Sequence, residues 1–83
     1  MVYDVQWTMT AERQFSKLDK STKKRIIDKI DSIQDNPLLY ITRLVGFNAY
    51  KLRVGNYRVI LGIEKNNLLI LILKVGHRKN IYE

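Results

Sequence analysis

In the middle of the chain, cations alternate with apolar residues. Lys51 and Arg53 interrupt Tyr50-Lys51-Leu52-Arg53-Val54, and Arg58 sits in the run Tyr57-Arg58-Val59-Ile60. A second group, His77-Arg78-Lys79, lies near the end with Tyr82. If the apolar partners face a core, Lys51, Arg53 and Arg58 emerge together on the other side, because successive strand residues point to opposite faces. Arg78, coming off a neighbouring strand, would lean over the same surface. Cations fixed around one concavity suit a phosphodiester, and they stabilise the extra negative charge that builds on phosphorus under attack. RNA fits this inventory better than DNA. Its 2′-hydroxyl is a built-in nucleophile, so a protein need supply only positioning, proton transfer and charge stabilisation. The product would be a 2′,3′-cyclic phosphate. Lys51, between Arg53 and the strand that carries Arg58, is a candidate base.

Charge is concentrated where this chemistry would occur. From Arg43 onward eight Lys/Arg stand against two acids, whereas residues 1–42 hold seven Lys/Arg and six acids, so nearly all of the net +7 belongs to the second half. A basic patch on a small domain points first to a polyanion. The chain has no cysteine, so disulfides and thiolate metal sites are excluded. A single histidine, with the acids mostly in the other half, makes a poor metal site, and neither metal nor cofactor is expected. There is no carboxylate pair for two-metal catalysis, no Gly-rich phosphate loop before a helix, and no Ser-His-Asp set. The longest apolar run, Leu68 to Leu73, falls far short of the roughly 20 residues a membrane span needs. The N-terminus lacks a basic segment followed by an apolar one. A cytoplasmic protein without membrane contact is therefore expected. At 83 residues and 46% hydrophobic, residues 1–83 read as one domain whose core is near the practical minimum, and which stands to gain stability from a partner.

The elements that must hold these residues are legible in outline. Met1 to Trp7 predicts a short strand, with Val5 and Trp7 on one face. Thr8 offers an N-cap to a helix carrying Ala11, Phe15 and Leu18. Asp19 or Ser21 can cap a second helix whose apolar stripe is Ile26, Ile27, Ile30 and Ile33. Asn36-Pro37 stops it, since the residue before proline is pushed out of the helical region. In the second half, Gly55-Asn56 predicts a tight hairpin turn and Lys65-Asn66-Asn67 another. Leu68 to Val75 is apolar at nearly every position, as a central strand buried on both faces would be, with Gly76 ending it. The fold class predicted is α+β: a β-α-α-β-β-β chain forming a twisted, mainly antiparallel four-stranded sheet with a helical hairpin on one face.

The run Ala49-Tyr50-Lys51-Leu52-Arg53-Val54-Gly55-Asn56-Tyr57-Arg58-Val59-Ile60 resembles the central signature of the RelE/ParE toxin superfamily. The ending Val75-Gly76-His77-Arg78-Lys79-Asn80-Ile81-Tyr82 resembles its C-terminal signature. The likeness extends over the whole length and is nearer to the RelE branch, whose members are ribosome-dependent endoribonucleases that cut mRNA in the A site and are neutralised by antitoxins. It implies a toxin of a type II toxin–antitoxin system with a RelB-like antitoxin, and the ribosome and mRNA as further partners. It implies catalytic roles for Lys51 (proton abstraction from the 2′-hydroxyl), Arg58 (the developing phosphorane), Arg78 (the leaving 5′-oxygen) and Tyr82 (substrate stacking or orientation). His77 would share acid/base work, as a histidine does in some related toxins. Arg43, Arg53 and Lys79 would bind RNA. Two departures stand out: Ala49 occupies a position where some members carry a second lysine, and the segment after Arg78 is short.

Other classes remain open at this level. The ParE branch inhibits DNA gyrase by binding alone, and charge by itself would also allow a non-catalytic nucleic-acid-binding module. Lys51 and Arg53 could be an ordinary solvated strand face, Arg58 could serve an ion pair with Glu64, and Lys23-Lys24-Arg25 a solvated helix start that could help meet ribosomal RNA.

Overall fold

The computed structural model describes residues 2–79. Strand β1 (Asp4–Trp7) leads into helix α1 (Met9–Ser16) and helix α2 (Lys20–Ile33). A single 3-10 turn, Pro37–Leu39, connects to β2 (Thr42–Arg43), β3 (Tyr50–Val54), β4 (Tyr57–Glu64) and β5 (Leu69–His77). The five strands lie in the order β1-β5-β4-β3-β2. The pairing is antiparallel except where β1 runs parallel to β5, with Val5 opposite Ile70 and Trp7 opposite Ile72. Four strands match those predicted, and β2 is a fifth. With only two residues and no apolar alternation, β2 carries no periodic signal.

Both helices start on the expected side chains. The Thr8 hydroxyl accepts from the Ala11 N–H at 3.1 Å, the bond that satisfies a donor left over at a helix N-terminus. The same hydroxyl donates to the Leu73 carbonyl at 3.2 Å, so the start of α1 is tied to β5. Asp19 caps α2. The hydroxyls of Thr22 and Ser21 hold its carboxyl below the usual carboxylate value.

Helix α2 lays Ile26, Ile30 and Ile33 onto the sheet, all fully buried, whereas Ile27 turns outward and belongs to the exposed edge of the stripe. These residues and Ala11 meet Leu52, Val54, Val59, Leu61, Ile70, Ile72 and Val75 in one core. Trp7 and Phe15 pack edge to face at 5.0 Å against its margin.

Strand β5 is not the uniformly buried, straight strand its composition suggests. Opposite β4, Ile60 pairs with Lys74 and the next residue, Leu61, with Ile72, so Leu73 is an extra residue, a bulge. The bulge reverses the alternation: Ile70 and Ile72 face the helices before it, and Val75 after it. The strand also runs on through Gly76 to His77 rather than ending at the glycine. Beyond Trp7 no strand among the described residues covers this stretch of β5, and the Gln14 side-chain oxygen accepts from the Val75 N–H at 2.8 Å instead.

Candidate active site

The register assembles the cations that alternation promised. Arg53 lies directly opposite Arg58, and Arg58 opposite Gly76; Lys51 lies opposite Ile60, and Ile60 opposite Lys74. Two neighbouring rows therefore cross the sheet on the face turned away from the helices, Lys51-Ile60-Lys74 and Arg53-Arg58-Gly76. Directly opposed strand residues stand about 5 Å apart. The Arg53–Arg58 pair thus presents two planar guanidinium groups side by side, each able to grip a phosphate through two N–H groups. Lys51 and Arg58 are half-buried and both engage neighbouring groups, while Arg53 and Lys74 are exposed. Glu64 lies six residues along β4 from Arg58, roughly 20 Å at the strand rise, too far for an ion pair within the strand. Glu64 instead accepts from the Asn67 side-chain amide at 3.3 Å.

A small apolar floor supports these rows. Ile60 is buried with Leu44 and Ala49, and Leu73 packs against them. Ala49 is 8% exposed. At this position the chain uses a small side chain as floor, so the single lysine of the motif, Lys51, carries the charge.

Lys74 was not among the residues singled out from the sequence. Its signal was present: a charged residue inside the apolar run from Leu68 to Val75 marks where one strand face leaves the core. The bulge turns Lys74 onto the face of Lys51 and Arg58. Unbroken alternation would have pointed it at the helices.

The remaining predicted residues fall in different places. Arg78 follows β5 and is exposed; its N–H donates to the Asn56 carbonyl at 2.9 Å, which fixes it beside the β3–β4 turn at the Arg53–Arg58 end of the sheet. Lys79 is exposed next to it, with its N–H donating to His77 Nδ1 at 3.2 Å. His77 does not join Lys51 and Arg58. It pairs with Tyr57, its ring meets the Tyr57 ring edge to face at 5.3 Å, and both line a cleft with Gln14, Lys17 and Leu18 on the helix side. The parity reversal at Leu73 is the cause. Arg43 is opposite Tyr50 with its guanidinium 5.9 Å from that ring, so it occupies the β2 edge on the helix side rather than the cationic face. Tyr82 lies outside the described residues.

Across residues 5–82 the chain matches the family model described as the ParE toxin of type II toxin–antitoxin systems, parDE. The chain belongs to this toxin family, within the RelE/ParE superfamily. Its similar relatives carry RelE names. Toxin RelE3 of Methanocaldococcus jannaschii is 48% identical over 46 residues, which cover 54% of this chain and 50% of that protein, so the match spans half the length of that relative. A putative RelE-like toxin protein of Escherichia coli is 28% identical over 82 residues, covering 95% of this chain and 86% of the relative. Among solved structures, the RelBE2 toxin–antitoxin complex of Mycobacterium tuberculosis contains a chain that superposes with a TM-score of 0.85 at 26% identity, over 94% of this chain and all of that one. The archaeal RelE–RelB complex from Pyrococcus horikoshii gives 0.80 at 25% identity, over 98% and 100%. The α+β architecture is thus that of RelE-like toxins.

Proposed function

We propose that this toxin cleaves mRNA in the ribosomal A site, using the RNA's own 2′-hydroxyl as nucleophile and no metal ion, and that a RelB-like antitoxin restrains it. The observation that carries this reading is the pair of rows that set Lys51, Arg53, Arg58 and Lys74 on one sheet face. Lys51 takes the proton from the 2′-hydroxyl as its oxygen attacks the adjacent phosphorus. Arg58, next to Arg53, neutralises the negative charge that grows on the non-bridging oxygens. Arg78, at the end of the same rows, serves the departing 5′-oxygen, and Tyr82 orients the substrate. As the bond from phosphorus to the 5′-oxygen breaks, that oxygen takes a proton from water and leaves as a hydroxyl, and a 2′,3′-cyclic phosphate remains. His77 lies on the helix side and has no part in this scheme. Proton-transfer groups are few, so much of the rate must come from the ribosome holding the RNA in the attacking geometry. A protein that works on ribosomes works in the cytoplasm.

The test is a 5′-end map of an mRNA on translating ribosomes with and without the protein. Cuts at codon-sized positions, with cyclic phosphate ends and little cutting of naked mRNA, are expected. Equal cutting of both substrates would overturn the reading. A second reading is favoured by the ParE description of the family model: binding to DNA gyrase without catalysis. Inhibition of supercoiling together with intact mRNA on ribosomes would establish it instead.

A further inference from the structure

The run Lys23-Lys24-Arg25 takes no part in the scheme above, yet the fold gives one of its members a defined place. On α2, Arg25 and Lys29 are one turn apart and Ser32 follows on the same side. With Asp28 they line a cleft whose opposite wall is Arg53, Val54 and Gly55 of the β3–β4 hairpin. Among the described residues β2 pairs with Tyr50 and Lys51 alone, which leaves the outer edge of β3 without a strand partner from Leu52 onward and the cleft open. Gly55 is what lets the walls approach. Its φ of +59° suits glycine, and a Cβ there would sit 3.1 Å from an Arg25 guanidinium nitrogen.

The charge of the cleft is one-sided. Asp28 is its one acid among the lining residues, and Lys24, outside the lining, holds that carboxylate at 2.9 Å. Arg25 and Lys29 supply positive charge from the α2 wall, and Arg53 stands at the rim with its side chain on the cationic sheet face. The Lys29 ammonium also lies 5.7 Å from the Tyr40 ring, and the Ser32 hydroxyl donates to the Lys29 carbonyl at 2.7 Å. Arg53 links this cleft to the cationic face, because it stands opposite Arg58. Positive charge therefore continues from Lys74 and Lys51 across Arg58 and Arg53, round the uncovered edge of β3, to Arg25 and Lys29.

We infer that the α2–β3 cleft is a second phosphate-binding subsite, which holds the backbone of a folded RNA while the sheet face engages the strand to be cut. The inference rests on the RNA-directed reading of the sheet face. Continuity through Arg53 is why the ligand is RNA and not an acidic protein segment: one polyanion, or two parts of one RNA assembly, can follow the belt across both sites. Phosphate contacts of this kind position a protein without reading sequence, and each one formed adds to the salt dependence of binding.

The double variant Arg25→Gln/Lys29→Gln tests it in the full-length toxin, with its melting temperature measured first to confirm that the fold is kept. Titration with vacant ribosomes across a salt series should show affinity about tenfold weaker and a log–log salt slope shallower by about 1.5, since each phosphate contact contributes roughly 0.7 to 0.9. Single-turnover cleavage at saturating ribosome should stay within about twofold of the parent. Unchanged affinity and slope in a folded variant, with the parent still cutting, would overturn the subsite and leave the proposed function standing. Loss of antitoxin capture with ribosome binding intact would also overturn it, by making the cleft a protein site. A parent that neither binds nor cuts on ribosomes would remove the RNA reading itself, and the subsite with it.

Discussion

At the scale of single residues, the proposed chemistry separates groups that act on the transition state from groups that act on binding. Removing one preorganised charge donor typically costs about 2.7–4 kcal/mol of barrier. Arg58→Ala and Arg78→Ala should therefore slow single-turnover cleavage at least a hundredfold at saturating ribosome, with affinity falling much less. Near-normal cleavage by Arg78→Ala would remove it from the site. Lys74 is exposed at the far end of the row that holds Lys51, across Ile60 from it. For Lys74→Ala the expected signature is weaker ribosome binding and a salt slope shallower by roughly one phosphate contact. Lys79→Ala should behave in the same way, while Arg43→Ala, stacked over Tyr50 on the opposite side, should have the smaller effect of the three. A larger loss for Arg43→Ala than for Lys74→Ala in the same titration would show that the substrate uses the β2 edge.

At the scale of elements, the bulge at Leu73 is the feature on which the site depends. A slip of one residue moves every following side chain to the other face. Deleting Leu73 takes out the extra residue itself, so Ile72, Lys74 and Val75 would alternate regularly and keep their present faces and partners; what is lost is the Leu73 side chain beside Ile60 and the carbonyl that Thr8 holds. The expected outcome is a chain that still folds cooperatively, with a lower melting temperature, and keeps Lys74 on the cationic face. Lys74→Leu, which keeps the bulge, should fold normally and lose only binding. A deletion variant that folds but loses ribosome binding as Lys74→Leu does would mean that Lys74 had changed faces and that the register is not as described. Helix α2 offers a pH test. Because Thr22 and Ser21 hold the Asp19 carboxyl below its ordinary value of 3.8, the folded state favours the charged form. The stabilisation is then fully present above that value and lost as pH falls below it, through the lower folded-state value. Asp19→Ala should melt below the parent near neutral pH, and the gap should close in acid below that range; a gap that persists there would assign the effect to something other than the charged carboxylate.

The same elements show what was legible in the chain. Thr8, Asn36-Pro37 and Gly55 are local signals, and each structure they predict is present, because capping and turn geometry depend on a few adjacent residues. The Lys51/Arg53/Arg58 face was legible for a related reason: period-two alternation survives wherever a strand is straight. Lys74 was missed, and the side of the sheet that His77 takes was not legible, because a bulge is set by pairing with a distant strand, and Leu73 looks like any other residue of an apolar run. β2 was invisible because two residues carry no period. Ile27 was read into the stripe of α2 because it lies at the margin of the apolar face, where only the sheet's width decides what is covered.

At the scale of the whole molecule, 83 residues enclose a small core while several large apolar side chains stay outside it. Leu39 is 71% exposed, Tyr40 53%, Val45 96% and Phe47 55%. Two of these follow α2 and two lie in the loop between β2 and β3, so both flank β2, the strand at one edge of the sheet. Apolar surface of this kind on a small domain marks a partner interface. If the cationic face acts on RNA as proposed, the chain is also one that a cell must keep restrained. The antitoxin proposed here should contribute an amphipathic segment whose apolar anchors cover these residues and whose charge opposes the basic face. Coexpression with the product of the adjacent gene should give a co-purifying complex that melts well above the free chain, since a ligand that binds only the folded state stabilises it in proportion to the logarithm of its concentration over Kd. Hydrogen exchange should slow in residues 38–47 on complex formation. Leu39→Ser/Phe47→Ser, which removes two exposed anchors and leaves the core alone, should weaken the complex at least tenfold while ribosome-dependent cleavage by the free toxin is retained. If that variant binds the antitoxin as tightly as the parent, the apolar edge is not the interface. If no neighbouring product binds and the free chain is harmless to the cell, the restrained-toxin reading fails even though the fold stands.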